Sequence, residues 1–174
     1  MDFKLHYFTE GTLPEFIMLI GIPGSGKSTW ISKFNQNDKY IVVSPDDIRR
    51  ELTGDVSDQS QNAKVWWMTK ETVKRALESG QDVILDAVMS SSKNRKDFIE
   101  DLPPAQLKAK VFYVDPEVSK ERIAKDIESG KDRANVPPEI VDRMYGELMT
   151  KVKLLDGGNL DLSKLEDEGF EIIK

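Results

Sequence analysis

The chain has 174 residues, no cysteine, a single histidine and a formal net charge of −6. This length suits one α/β domain over residues 1–174, with a core that needs no staples, and the absence of cysteine excludes disulfides and thiolate metal sites, with a cytosolic setting the simplest fit. The sequence shows no basic-then-apolar leader and no apolar run of membrane-spanning length, so no membrane partner is expected; six acidic residues against two lysines from Leu155 onward carry −4 of the charge, leaving a body of only −2 that can hold a local basic groove.

Residues 1–14 alternate loosely, Phe3, Leu5 and Tyr7 against Lys4 and His6, and are expected to form a short extra strand or arm. His6 has no second histidine or cysteine to join it as a ligand, so it reads as a solvent-facing strand residue. Residues 16–20 are a continuous apolar run, the pattern of a strand buried on both faces. Directly after it stands Gly21-Ile22-Pro23-Gly24-Ser25-Gly26-Lys27-Ser28, which fits the phosphate-binding pattern G-x-x-x-x-G-K-S. Trp30, Ile31 and Phe34 then recur at helical spacing. Strand, glycine-rich turn and helix start come in the order that phosphate binding requires. The glycines let successive backbone N–H groups turn toward a polyphosphate, and the helix N-terminus adds favourable field. Gly21, Pro23, Gly24, Ser25, Gly26, Lys27, Ser28 and Thr29 are therefore the expected nucleotide-binding residues, with Lys27 on the β- and γ-phosphates and Ser28 on Mg²⁺.

The first helix should end in the polar cluster 35–38, and residues 40–43 form a β-branched strand. Pro45 disfavours helix for Ser44, and Asp46 or Asp47 is expected to cap a short helix running to about Leu52. Asp46, Asp47 and Arg49 then lie just beyond the carboxyl end of a parallel strand, along the edge where open α/β sheets build their sites. Residues 53–62 read as a loop, and residues 61–79 as a long helix stopped by Gly80. Trp66 and Trp67 cannot both face one way; one is expected in the core, the other half-buried or stacking on a base. Residues 82–86 are the next buried strand and end in Asp86, a Walker B-like carboxylate for Mg²⁺, held directly or through water.

Ser90-Ser91-Ser92 can cap a helix reaching Ile99, and a fourth strand is expected over residues 110–114. A helix over 117–127 breaks at 129–135 and restarts at Val136-Pro137-Pro138. The stretch from about 117 to 136, with its Gly-containing basic loop, suits a small lid closing over phosphates. Beyond Leu160 a short helix and a strand over 170–173 complete the chain. Four or five strands alternating with helices predict a doubly wound, mostly parallel sheet of about five strands with helices on both faces, an adenylate-kinase-like P-loop NTPase.

Transfer of a phosphoryl group to an alcohol needs a carboxylate to take the hydroxyl proton and cations around the transferring group. Asp46 is read as that base, Asp47 as structural, and Arg49, three residues on and on the same helix face, as the grip on an anionic part of the acceptor.

G-x-P-G-S-G-K-S-T-W, then a strand leading to D-D-x-R, then I-L-D, then an arginine-containing lid closed by V-P, resembles the 5′-OH polynucleotide kinase domain of the phage type. That domain belongs to a wider P-loop kinase group that includes zeta-toxin-like kinases. The likeness runs from about Phe16 to Glu147, with a more general similarity at Glu168-Gly169-Phe170. It implies Asp46 as general base, Arg49 as the residue meeting the acceptor's phosphate, and Asp86 as the active-site aspartate of the third core strand. Among lid candidates Arg133 is favoured, then Arg122, with Lys131 competing. The sequence departs from the family at Pro45, where an arginine is usual, and at Ala87-Val88, where Thr-Asn is common. Both departures lie on the acceptor side. The expected activity is ATP- and Mg²⁺-dependent phosphorylation of a nucleic-acid hydroxyl, foremost a 5′-OH end of DNA or RNA, by a protein working in the cytoplasm, for a phage-encoded chain that of the host. A hydroxymethylated DNA base, a nucleoside or nucleotide, or a sugar nucleotide are the alternative acceptors, and a nucleotide-hydrolysing switch or binding module is the alternative of another class.

Overall fold

The structure, a computed structural model, describes residues 12–174, and the expectations for His6 and the N-terminal arm up to residue 11 lie outside the described residues. In chain order the elements begin with β1 (Glu15–Ile20), α1 (Lys27–Phe34), β2 (Ile41–Val43), α2 (Pro45–Thr53), α3 (Asn62–Glu78) and β3 (Val83–Leu85). They continue with α4 (Ser92–Ile99), β4 (Gln106–Val111), α5 (Pro116–Glu128), α6 (Pro138–Met149), β5 (Lys153–Leu154), β6 (Leu160–Asp161), α7 (Ser163–Glu166) and β7 (Glu171–Ile172).

Five strands make one sheet in the order β2–β3–β1–β4–β7, every pairing parallel. β1 lies in the middle because its five apolar residues can be satisfied nowhere else; Phe16, Ile17, Met18, Leu19 and Ile20 are all fully buried. Strand side chains alternate between faces. Phe16, Met18 and Ile20 pack with Leu77 of α3, Phe98 of α4, Ile123 of α5 and Leu148 of α6. Ile17 and Leu19 face the other way, against Trp30 and Ile31 of α1. Helices thus cover both faces, as the alternation of strands and helices predicts.

The fourth strand differs from its expected position, starting at Gln106 and ending at Val111 rather than spanning 110–114. Its register against β1 runs from Glu15↔Gln106 to Ile20↔Val111. Leu107, Ala109 and Val111 face the larger core, whereas Lys108 lies on the opposite side and reaches Glu15 Oε1 at 2.8 Å. A strand with one polar face has no continuous apolar run, which is why the sequence placed it too late. The hairpin of β5 and β6 was not expected at all; it turns through Gly157 and Gly158, both at positive φ. The cap of α2 also differs: Ser44, extended ahead of Pro45, accepts from Asp47 N at 3.4 Å, and Asp46 and Asp47 occupy the first turn.

Candidate active site

β2, β3 and β1 are neighbours, so their carboxyl ends deliver three segments side by side, each roughly 5 Å from the next. β1 delivers the glycine-rich loop, β3 delivers Asp86, and β2 delivers Ser44 and the start of α2. Asp86 therefore stands between the phosphate loop and Asp46. A cleft of about 1590 Å³ opens over this edge; Lys27, Ser28, Asp46, Arg49, Asp86 and Arg133 all line it. Arg122 and Thr29 line it too.

The phosphate loop is built by close backbone approach. A side-chain carbon on Gly21 would lie 2.8 Å from Phe112 O and 2.9 Å from Phe112 Cβ, so β1 and β4 can meet there only through glycine. Gly21 N donates to Val88 O at 3.1 Å, tying the loop to the segment after β3. Gly24 and Gly26 adopt positive φ, 71° and 100°, which aims backbone N–H groups inward. α1 starts at Gly26 with no side chain capping it and no acidic residue in its first turn. Its free N–H groups thus suit an anion from outside the chain. Ser28 and Thr29 sit exposed in that first turn. Pro23 and Gly24 are held from behind by α5: Ser119 Oγ donates to Pro23 O at 2.6 Å and Arg122 Nη1 to Gly24 O at 2.8 Å.

Lys27 is folded back onto its own loop, donating to Gly21 O at 2.8 Å and Ile22 O at 3.0 Å. It is 9% exposed, and burial lowers its ammonium pKa to about 8, opposed by the negative charge of Asp86. Burial likewise pushes the Asp86 carboxyl above its usual range, while Lys27 pulls it down and Asp46 and Asp47 push it further up. A cation between Ser28 and Asp86 would relieve that excess of negative charge. Mg²⁺ usually takes one or two protein oxygens and completes its shell with phosphate oxygens and water, so these two residues fit it.

On the acceptor side, Arg49 is 5% exposed and forks between Asp46 Oδ1 at 2.5 Å and Asn62 Oδ1 at 3.1 Å. Its Nε is buried with no acceptor among the described residues. Arg133, in the segment between α5 and α6, repeats the arrangement: Nη1 meets Asp126 Oδ2 at 2.5 Å, and its buried Nε has no acceptor among the described residues. Buried polar groups are nearly always paired with protein, water or an ion, so these two guanidinium groups in one cleft are candidates for anionic ligands. Asp47 turns to Arg50 at 2.7 Å, and Arg50 also bridges to Asp132 at 2.5 Å, pinning the 129–137 segment across the cleft. Of the expected lid, residues 116–128 form α5, which packs Ile123 into the core; only the segment between α5 and α6 is irregular chain.

Sequence reasoning missed several cleft residues. Asn62, at the start of α3, lines it; Trp66, one of the two tryptophans of which one was expected in the core, packs against the core and Phe98 and also lines the cleft, while Trp67 is 61% exposed. Ile140, Arg143, Met144 and Glu147 form one face of α6, and their i, i+3, i+4, i+7 spacing was the available signal. Ser119 was missed as well and Arg122 was expected only as a lid residue, since nothing in a helix pattern says that this face of α5 meets a loop nearly a hundred residues earlier.

A family model described as an AAA domain matches residues 16–148. Among solved structures, a chain of the Pnkp1/Rnl/Hen1 RNA repair complex is 25% identical with a TM-score of 0.71, covering 82% of this chain and 46% of that one. A chain of a second Pnkp1/Rnl/Hen1 complex is 29% identical with a TM-score of 0.59, covering 66% of this chain and 40% of that one. The chain thus spans less than half the length of these two. A protein of Chloroflexus aurantiacus, 20% identical with a TM-score of 0.63 and 75% of both chains covered, shares the fold. No curated protein matches the chain. No helix of the described residues is long and apolar enough to cross a membrane.

Proposed function

The chain belongs to the AAA domain family of P-loop proteins, and on that footing we propose that it is an ATP-dependent kinase phosphorylating the 5′-hydroxyl end of a polynucleotide. The observation that carries this reading is a pair of arginines lining one cleft, Arg49 bonded to the Asp46 carboxylate and Arg133 close enough for its charge to act on Lys27, each with a buried Nε that has no acceptor among the described residues. Once the two side chains turn into the cleft, one donor anion and one acceptor anion would pair with their guanidinium groups. The 5′ end of a polynucleotide offers a hydroxyl for Asp46 with a neighbouring phosphodiester for Arg49, and a free nucleoside lacks that anion. The likeness to chains of an RNA repair complex supports the same class of acceptor.

In the reaction, the acceptor oxygen attacks the γ-phosphorus in line, its proton passes to the Asp46 carboxylate, and the bond to the β-phosphate oxygen breaks to release ADP. Lys27 leaves its loop carbonyls for the β- and γ-phosphates, and the loop N–H groups and the α1 N-terminus hold the polyphosphate. Arg133 swings from Asp126 onto the transferring group, where charge is greatest. Ser28 and Asp86 would hold Mg²⁺, which supplies charge neutralisation at the phosphates. Asp126 and Asp47 keep neighbouring cations oriented and touch no substrate.

The test is transfer from γ-labelled ATP to a 5′-OH oligonucleotide, beside the same oligonucleotide with a 5′-phosphate, free nucleosides and a sugar nucleotide. Labelling of the 5′-OH oligonucleotide alone is expected, with Arg49→Ala raising its KM by roughly tenfold or more, the loss of a charge-assisted contact, and leaving the KM for ATP nearly unchanged. Labelling of a small molecule alone would overturn the acceptor.

A further inference from the structure

The segment linking β3 to α4, residues 86–91, forms the floor of the cleft from Asp86 to Ser90. Its backbone is strained: Met89 has φ 44°, a left-handed conformation that a side-chain-bearing residue adopts only when its surroundings enforce it. What enforces it is Arg95, one turn into α4 and fully buried. Arg95 Nη1 donates to Met89 O and to Ser90 O, each at 2.8 Å. Its other two nitrogens grip Glu168, Nε to Oε2 at 2.7 Å and Nη2 to Oε1 at 2.8 Å. Ser92 Oγ adds a third bond to Glu168 at 2.7 Å, and Ser90 Oγ ties the segment to Glu147 of α6 at 2.8 Å. Glu168 follows α7 and lies beyond residues 16–148, the part matched by the family model.

We infer that Arg95 and Glu168 are a positioning pair for phosphoryl transfer, through which the C-terminal segment fixes the cleft floor and the place of Asp86. A lone buried guanidinium would be costly, and one whose fork is completed by a carboxylate is rigid in two directions at once. The carboxylate fixes the plane of Arg95, Arg95 fixes two carbonyls, and those carbonyls fix the turn that follows Asp86. The turn in turn carries Val88 O, which accepts from Gly21 N, so the acceptor floor and the phosphate loop share one anchor. Neither residue of the pair touches substrate. Glu168 also faces Lys151 at 3.9 Å, a contact too long to replace Arg95.

The inference rests on phosphoryl transfer in this cleft, and its test separates it from the identity of the acceptor. Glu168→Gln keeps the shape and removes the charge. Hydrogen exchange of the full chain is expected to quicken in peptides covering 86–91 and 21–28 without a general rise elsewhere. In transfer assays kcat should fall by roughly tenfold or more, as for a displaced reacting group, the Mg²⁺ concentration for half-maximal rate should rise, and ATP affinity should stay within about twofold. Ser92→Ala, which leaves the Arg95 fork intact, should move all three readouts the same way by less and serves if Glu168→Gln does not fold. The exposed Glu166→Gln should move none. Unchanged exchange at 86–91 together with unchanged kcat and Mg²⁺ requirement, in whichever of the two variants folds, would overturn the inference, even if the melting temperature dropped. Quickened exchange in 86–91 with no oligonucleotide labelling by the parent would instead uphold the positioning pair and discard the acceptor.

Discussion

Lys27 makes nucleotide binding a proton-linked event. In the free protein its ammonium is buried against Gly21 O and Ile22 O and titrates at about 8 instead of 10.5. Bound polyphosphate restores the charged form, so a Lys27 that is neutral beforehand must take up a proton. At pH 8.5 the free amine is charged in only about a quarter of molecules, and binding should draw in about three quarters of a proton. Affinity should fall about tenfold from pH 7 to pH 9, about 1.4 kcal/mol, because each unit above the free-state value costs one decade. The sign for stability is the opposite one. Between about 8 and 10.5 the unfolded chain binds more protons than the fold, so the nucleotide-free protein should gain stability as pH rises through that window, by at most about 3 kcal/mol. Titration calorimetry at pH 8.5 in two buffers of different ionisation enthalpy reads the uptake directly, and Lys27→Arg, charged throughout, supplies the flat control. An affinity for ATP that is constant from pH 7 to 9, or an equal slope in Lys27→Arg, refutes the reasoning.

Other expectations follow from the same cleft. Asp46→Asn should lower kcat by roughly 10²–10⁴-fold, the usual worth of a general base, with ATP binding by calorimetry retained; lost ATP binding would make Asp46 a structural residue. Arg133→Ala and Arg122→Ala should differ in kind: the first lowers kcat by roughly 10²–10³-fold as a lost transition-state contact, whereas the second frees the Gly24 carbonyl and weakens ATP binding by roughly 1 kcal/mol. Equal kcat defects with unchanged affinity in both would make Arg122 a second lid arginine. Gly21→Ala forces a carbon against the Phe112 backbone and should cost about 1–3 kcal/mol in a thermal or denaturant melt, together with most nucleotide affinity. Wild-type binding in that variant would mean that β1 and β4 part there at little cost.

The sequence alone determined the elements whose signals are local. The apolar run before Gly21 could only be a strand buried on two faces, and the glycines after it needed positive φ that few other residues tolerate. Pro45 and Gly80 marked ends of helices through backbone chemistry that depends on no neighbour. From these it followed that Lys27, Asp46 and Asp86 would share one sheet edge, because parallel strands deliver their carboxyl ends together. Where the signal was shared between distant residues, the sequence was silent. β4 was misplaced because its lysine face is matched by Glu15, about ninety residues earlier. Arg133 was favoured over Arg122 as a lid arginine for its closeness to Val136-Pro137, but only the structure shows the Arg122 guanidinium on the Gly24 carbonyl and the Arg133 Nε buried without an acceptor among the described residues. Glu168 had no visible purpose in an acidic tail until Arg95 was found buried against it. Local backbone chemistry can be read along the chain, but the partner of a buried charge is chosen by packing, and only the tertiary structure decides it.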